Sequence, residues 1–165
     1  MDCLFFRHGI ACERQEWEGP EKDRPLTDKG AKRTRQAGKG LLNLHIAPTH
    51  ILTSPLARAL ETAEILQGLF RPRLIVRICE ELVPEAAPDK LFSLLDTLPQ
   101  DSVVLCVGHE PHLSLAAGIL LTGKPSAGFS LKKSGACLMH IEVAIRPAKA
   151  RLEWWLTPEQ LRALG

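Results

Sequence analysis

Apolar and polar positions alternate along the chain in two rhythms. Residues 2–6, DCLFF, form a short apolar run that predicts a buried strand. The polar, Pro- and Gly-rich stretch GIACERQEWEGPEKDRPL follows and reads as loop. Thr27 can cap, and Asp28 can complement, the positive end of a helix running to about Leu44. THILT at 49–53 reads as a second strand. In SPLARALETAEILQGL, Ser54 suits an N-cap and Pro55 a first helical position, while Leu56, Ala59, Leu60, Ala63 and Leu66 form a stripe at helical spacing. RLIVRI at 73–78 predicts a strand, and residues 88–98 a short helix. SVVLCVG at 102–108 is an unbroken run that predicts a strand covered on both faces. EPHLSLAAGILL then predicts a helix with Pro111 in its first turn. Beyond a loop near 123–135, Met139, Ile141, Val143 and Ile145 alternate with His140 and Glu142. RLEWWL follows across the RPAKA connection, so a closing antiparallel pair is expected. Trp154 and Trp155, adjacent on that strand, must face opposite sides, one into the core and the other partly exposed. A short helix is expected from Pro158.

Alternation of strands and helices predicts an α/β protein, a three-layer α/β/α sandwich whose mostly parallel central sheet has an antiparallel edge. No linker or repeat divides the 165 residues, so a single domain over 1–165 is expected. A net charge of +2 with scattered basic residues gives no footprint for nucleic acid. No run approaches the length of a membrane span, and no signal peptide opens the chain, so a cytoplasmic location is expected. The five cysteines include no CxxC, and Cys3, Cys106 and Cys137 lie in apolar stretches; free thiols in a reducing compartment explain them better than disulfides.

Open α/β sheets bind ligands beyond the carboxyl ends of their strands. Three such ends carry polar residues of one chemistry. The first strand ends in Arg7-His8-Gly9, the second leads through Thr53-Ser54-Pro55 to Arg58, and the strand at 102–108 ends in Gly108-His109-Glu110-Pro111. Arg58 falls in the first turn of its helix, where a cation opposes the macrodipole at a cost of roughly 0.3–1 kcal/mol. A bound anion there reverses that sign. Two arginines and two histidines would thus converge on one phosphoryl group, with the guanidinium forks matched to its oxygens. A neutral imidazole is a competent nucleophile toward phosphorus, provided its other nitrogen is held protonated by an acceptor. Gly9 would let the backbone come close to that ring or to the phosphate. In-line displacement then needs positioning and charge neutralisation, with no metal and no cofactor.

These motifs, RHG after the first strand, TSPLARALETAEIL after the second and VGHEPHL after the fourth, resemble the histidine phosphatase superfamily, which also contains the phosphoglycerate mutases. The short length and DRPLTDKG resemble its SixA-type phosphohistidine phosphatases. The resemblance implies a phosphoglycerate mutase-like fold and a cofactor-independent phosphatase. It implies His8 as nucleophile, Arg7 and Arg58 as holders of the phosphoryl oxygens, and His109 as a stabiliser of the transferring group. Arg24, in DRPLT, matches the basic residue of the SixA-type loop and would line the rim. Two departures stand out. Ile10-Ala11-Cys12 replaces the Ser or Thr common after RHG. Pro84 falls near the position where mutases and most phosphoesterases of this branch carry an acidic proton donor, with Glu81 and Glu85 beside it; Glu85 would serve as the acid only if its loop bends inward. A phosphohistidine leaving group needs such an acid far less than an alkoxide does. The expected partner is therefore a protein bearing phosphohistidine. A small phosphomonoester, or a phosphate-binding role with little turnover, are the alternatives. A short segment at about 79–101 implies little lid and an open pocket.

The remaining histidines read as structural. HEPH spaces His109 and His112 by three with Pro111 between them, unlike HExxH, so no metal site is expected and His112 reads as a helix-surface or supporting residue. His45 and His50 flank a loop as solvated side chains, and His140 lies on the polar side of its strand.

Overall fold

The computed structural model describes residues 1–70, 73–126, 128–142 and 144–165. Six strands, β1 (Asp2–Arg7), β2 (His50–Thr53), β3 (Val76–Ile78), β4 (Val103–Gly108), β5 (Ala136–Ile141) and β6 (Ala150–Leu156), form one sheet in the order β3-β2-β4-β1-β5-β6. The first four run parallel to one another, while β5 pairs antiparallel with both β1 and β6. Among the described residues the α-helices are α1 (Asp28–Asn43), α2 (Ala57–Phe70), α3 (Pro88–Leu95), α4 (His112–Thr122) and α5 (Pro158–Ala163).

Period-two alternation inside apolar strands sorts the core into two layers. Cys3, Phe5, Val104, Cys106, Cys137 and Met139 point to one face, where Leu91, Leu95, Leu113 and Ala117 of α3 and α4 cover them. Leu4, Phe6, Leu105 and Val107 point to the other, under Ala37 and Leu41 of α1, Ala59, Ala63 and Leu66 of α2, and Leu161 of α5. Full burial of Phe5 and Phe6, on opposite faces, contributes about 1.5–3 kcal/mol each. Cys79 lies in the first layer with Cys3, Cys106 and Cys137, and all five cysteines are unpaired.

Helix starts follow local chemistry. The Thr27 hydroxyl accepts from Gly30 N at 2.9 Å and opens α1. Thr157 and Gln160 form a reciprocal capping box at α5, with Pro158 at its start. α2 starts later than its sequence predicts: Ser54 is not its cap, because the strand-end geometry turns the Ser54 hydroxyl toward His109, and helix begins only at Ala57. Its buried face is Arg58, Ala59, Thr62, Ala63 and Leu66, while Leu56 and Leu60 are only half-buried. β3 is shorter than the predicted 73–78, since an edge strand has one partner; Ile75 falls outside it and is 81% exposed. β5 begins at Ala136, ahead of the alternating stretch, and is buried almost throughout because β1 and β6 flank it. Ile145 is buried but lies past the strand, and Val143 lies outside the described residues. Trp154 and Trp155 face opposite core layers as expected, and both are half-buried, so neither is the fully buried core ring expected. Among the described residues no helix is long and apolar enough to cross a membrane.

Candidate active site

Parallel registry brings the three strand ends to one edge. Arg7 pairs with Gly108, Thr53 with Val107, and His8 N donates to Gly108 O at 3.0 Å. Residues distant in sequence therefore meet just beyond β1, β2 and β4.

His8 is 6% exposed, and its Nδ1 lies 2.7 Å from Gly9 O. A carbonyl oxygen only accepts, so Nδ1 carries the proton and Nε2 keeps its lone pair. Burial, then the charges of Arg58, Arg7 and Lys133, push the His8 pKa down to about 3, against the opposing Gly9 hydrogen bond. The ring is neutral at ordinary pH. His109 stands beside it, ring centroids 4.9 Å apart and planes tilted 52°. Its Nε2 is 2.9 Å from Ser54 Oγ, and its Nδ1 is buried with no partner. Burial first, then His8 and Arg58, lower its pKa to about 2.

Two guanidinium groups complete the cluster. Arg7 Nη1 donates to Leu131 O at 2.8 Å, and Arg58 Nη1 meets Glu21 Oε1 at 3.2 Å and Glu21 O at 3.3 Å. In both, Nε is buried without a partner. An unsatisfied buried donor costs about 1–3 kcal/mol, and native structures rarely tolerate several together. Arg7 Nε, Arg58 Nε and His109 Nδ1 are three such buried atoms on the residues that flank His8. Donors of this kind suit a tetrahedral oxyanion, and Arg58 stands in the N-terminal turn of α2, where an anion is favoured.

Arg24 and Glu85 are the further candidates. Arg24 gives Nη1 to Cys12 O at 2.5 Å, and its Nε and Nη2 to the Glu21 carboxylate at 3.1 and 2.9 Å. It lies beside Arg58 through this shared carboxylate, its donors already engaged. Glu85 is exposed; its charge reaches Arg58, yet among the described residues it bonds to none of the four clustered side chains. The segment before β4 holds one 3-10 turn at Glu80–Leu82 and α3. His112 is not on the helix surface: it is 1% exposed, with both ring nitrogens unpartnered, and burial lowers its pKa to about 4. Among the described residues no group of His, Cys, Asp and Glu has the arrangement of a metal site.

Sequence reasoning missed several supports. Thr62 Oγ1 donates to Arg58 O at 2.7 Å and accepts from Gly9 N at 3.0 Å, tying the loop after β1 to α2. Its position four residues after Arg58, on the same helix face, was a legible signal. Glu21 pairs with Arg14, Arg24 and Arg58, and the bonded Arg24 guanidinium holds it below the usual carboxylate range. Ser54, Glu110 and Lys133 were likewise not singled out for the site.

Comparison with known proteins gives the family and the fold. Residues 3–83 match the family described as the histidine phosphatase superfamily (branch 1). An uncharacterised protein of Picosynechococcus sp. (strain ATCC 27264 / PCC 7002 / PR-6) is 33% identical over 156 residues, covering 93% of this chain and 89% of that protein. The structure of the protein histidine phosphatase SixA complexed with tungstate matches with a TM-score of 0.84 at 21% identity, over 98% of this chain and 99% of that one. The alpha-ribazole phosphatase of Shigella flexneri matches with a TM-score of 0.75 at 16% identity, over 96% and 97%.

Proposed function

The chain belongs to the histidine phosphatase superfamily (branch 1) and is a phosphatase of it, and from that premise we propose that it removes phosphoryl groups from phosphohistidine on another protein. His8 Nε2 attacks phosphorus in line as the P–N bond of the substrate breaks. A substrate ring protonated at its distal nitrogen leaves as neutral imidazole and takes no proton from the enzyme. Water then attacks the phosphoryl group on His8, the new P–N bond breaks, inorganic phosphate carries away the proton of the attacking water, and Nε2 recovers its lone pair.

Arg7, Arg58 and His109 hold the phosphoryl oxygens through both steps, where charge neutralisation and fixed geometry do most of the catalytic work. Ser54 Oγ accepts from Leu56 N at 3.3 Å, so its own proton is free for His109 Nε2. The neutral ring then carries its proton on Nδ1, the buried atom that faces no protein partner.

One observation carries the choice of substrate. Glu85, the candidate acid, is exposed and bonds to none of Arg7, His8, Arg58 and His109. An unassisted site favours imidazole over alkoxide as the leaving group. The likeness to an alpha-ribazole phosphatase favours the second reading, a small phosphomonoester. Turnover of a phosphohistidine protein against sugar and nucleotide phosphates separates the two. The expected outcome is a kcat/KM at least about tenfold higher on phosphohistidine, and faster turnover of small esters would refute it. His8→Ala should abolish turnover while keeping affinity for tungstate; a wild type without turnover on any of these would point to a binding role instead.

A further inference from the structure

The strap from Leu131 to Gly135 is built onto the site by the site's own residues. Arg7 Nη1 holds Leu131 O at 2.8 Å, and Glu110, next to His109, accepts Leu131 N at 2.8 Å. At the other end, Ser134 N donates to Arg7 O at 3.0 Å and lies 3.3 Å from His8 O, while Gly135 O accepts Arg7 N at 3.1 Å. The Ser134 hydroxyl meets Thr34 Oγ1 at 3.0 Å, and the residue is 1% exposed. Its φ of 62° is left-handed, and the turn is closed by Gly135 N donating to Lys132 O at 2.7 Å. Between these anchors Lys132 is exposed, whereas Lys133 is half-buried.

Charge accounting singles out Lys133. Arg58 and Arg24 share the Glu21 carboxylate, and Arg7 feels that of Glu110. Lys133 forms no ion pair among the described residues. Ser134 N reaches the backbone oxygens of Arg7 and His8, so the neighbouring Lys133 is carried beside His8, and its charge is among those that lower the pKa of that ring. Arg7, Arg24 and Arg58 each have a carboxylate of the chain within reach, whereas Lys133 has none among the described residues, and an anion on the substrate would supply that missing partner.

We propose that Lys133, presented by the anchored strap, is a specificity-determining residue that binds a second negative charge on whatever carries the phosphoryl group. The proposal rests on the assignment of His8 as the site of phosphoryl transfer and adds the substrate class: carriers with a carboxylate or another anion next to the transferred group. A protein can supply that charge through Asp or Glu flanking its phosphohistidine, and a small ester through a carboxylate of its own.

Two substrate pairs test this. One is a phosphohistidine peptide with acidic flanks against the same peptide with Asn and Gln there; the other is phosphoglycolate against ethyl phosphate. Wild type should prefer the acidic member of at least one pair by about five- to tenfold in kcat/KM, the scale of a charge-assisted contact at a partly exposed rim, with the difference in KM. Lys133→Met should erase the preference, and Lys133→Arg should keep it. A preference confined to the peptides assigns a protein carrier, and one confined to the esters a small molecule. Equal rates for both members in wild type, an unchanged preference in Lys133→Met, or an equal loss on both members would overturn the proposal. Absence of turnover on all four substrates would instead bring down the phosphatase reading on which it stands.

Discussion

At the scale of single residues, the cluster works through tautomers. Gly9 O fixes the proton of His8 on Nδ1, and in the proposed mechanism Ser54, 2.9 Å from His109 Nε2, orders that of His109. Removing the Ser54 hydroxyl frees the neutral His109 ring to place its proton on either nitrogen. Ser54→Ala is expected to lower kcat by about tenfold, the loss of one oriented hydrogen bond of roughly 1.4 kcal/mol, with KM nearly unchanged. Ser54→Thr should restore most of it. Steady-state kinetics decide, and a loss confined to KM would remove Ser54 from this role. Arg7, His8, Arg58 and His109 were legible because each sits within a few residues of a strand end, where parallel topology dictates convergence. Glu21 was not. Its three arginine partners lie up to 37 residues away, and only the folded loop brings them to one carboxylate.

At the scale of elements, the loop after β1 is held by close approach to α1. A Cβ on Gly9 would stand 2.4 Å from Thr34 Oγ1, so this glycine also makes room for the helix, while its carbonyl approaches the His8 ring at 2.7 Å. Opposite it, a Cβ on Gly30 would stand 2.0 Å from Ile10 O, a backbone atom that cannot rotate away. Gly30→Ala gains helix propensity but must push the loop outward, and overpacking of this kind costs about 1–3 kcal/mol. A lowered Tm together with reduced kcat is expected; an unchanged kcat would show that the loop yields without moving His8. The unbroken run of β4 and the capped start of α1 were readable because burial on both faces and N-cap chemistry are local signals. The start of α2 was not, because Ser54 serves a ring 55 residues away instead of its own helix. β3 was overextended for a similar reason: an apolar sequence does not reveal that its strand lies at an edge with one neighbour.

At the scale of the whole molecule, three buried imidazoles couple folding to pH. His8, His109 and His112 have pKa values of about 3, 2 and 4 in the folded chain, below the ordinary 6.5. Above pH 6.5 neither state binds these protons, and their contribution to stability is fully present. As pH falls below that value, the unfolded chain takes up protons that the folded one refuses, so stability declines toward the folded pKa values. His112 contributes to this slope without any hydrogen bond in return. His112→Leu should therefore raise Tm relative to wild type more at pH 5 than at pH 8, and an equal change at the two pH values would exclude it as a source of the slope. The core layer against α3 and α4 has a practical corollary. Four of the five thiols are sunk in it, where burial pushes Cys3 up to about 12 and raises the others as well. That leaves Cys12, whose carbonyl carries the Arg24 guanidinium, as a natural attachment point for a maleimide dye. A fluorophore there would ride on the loop after β1, beside Arg24, and leave the four clustered side chains unaltered.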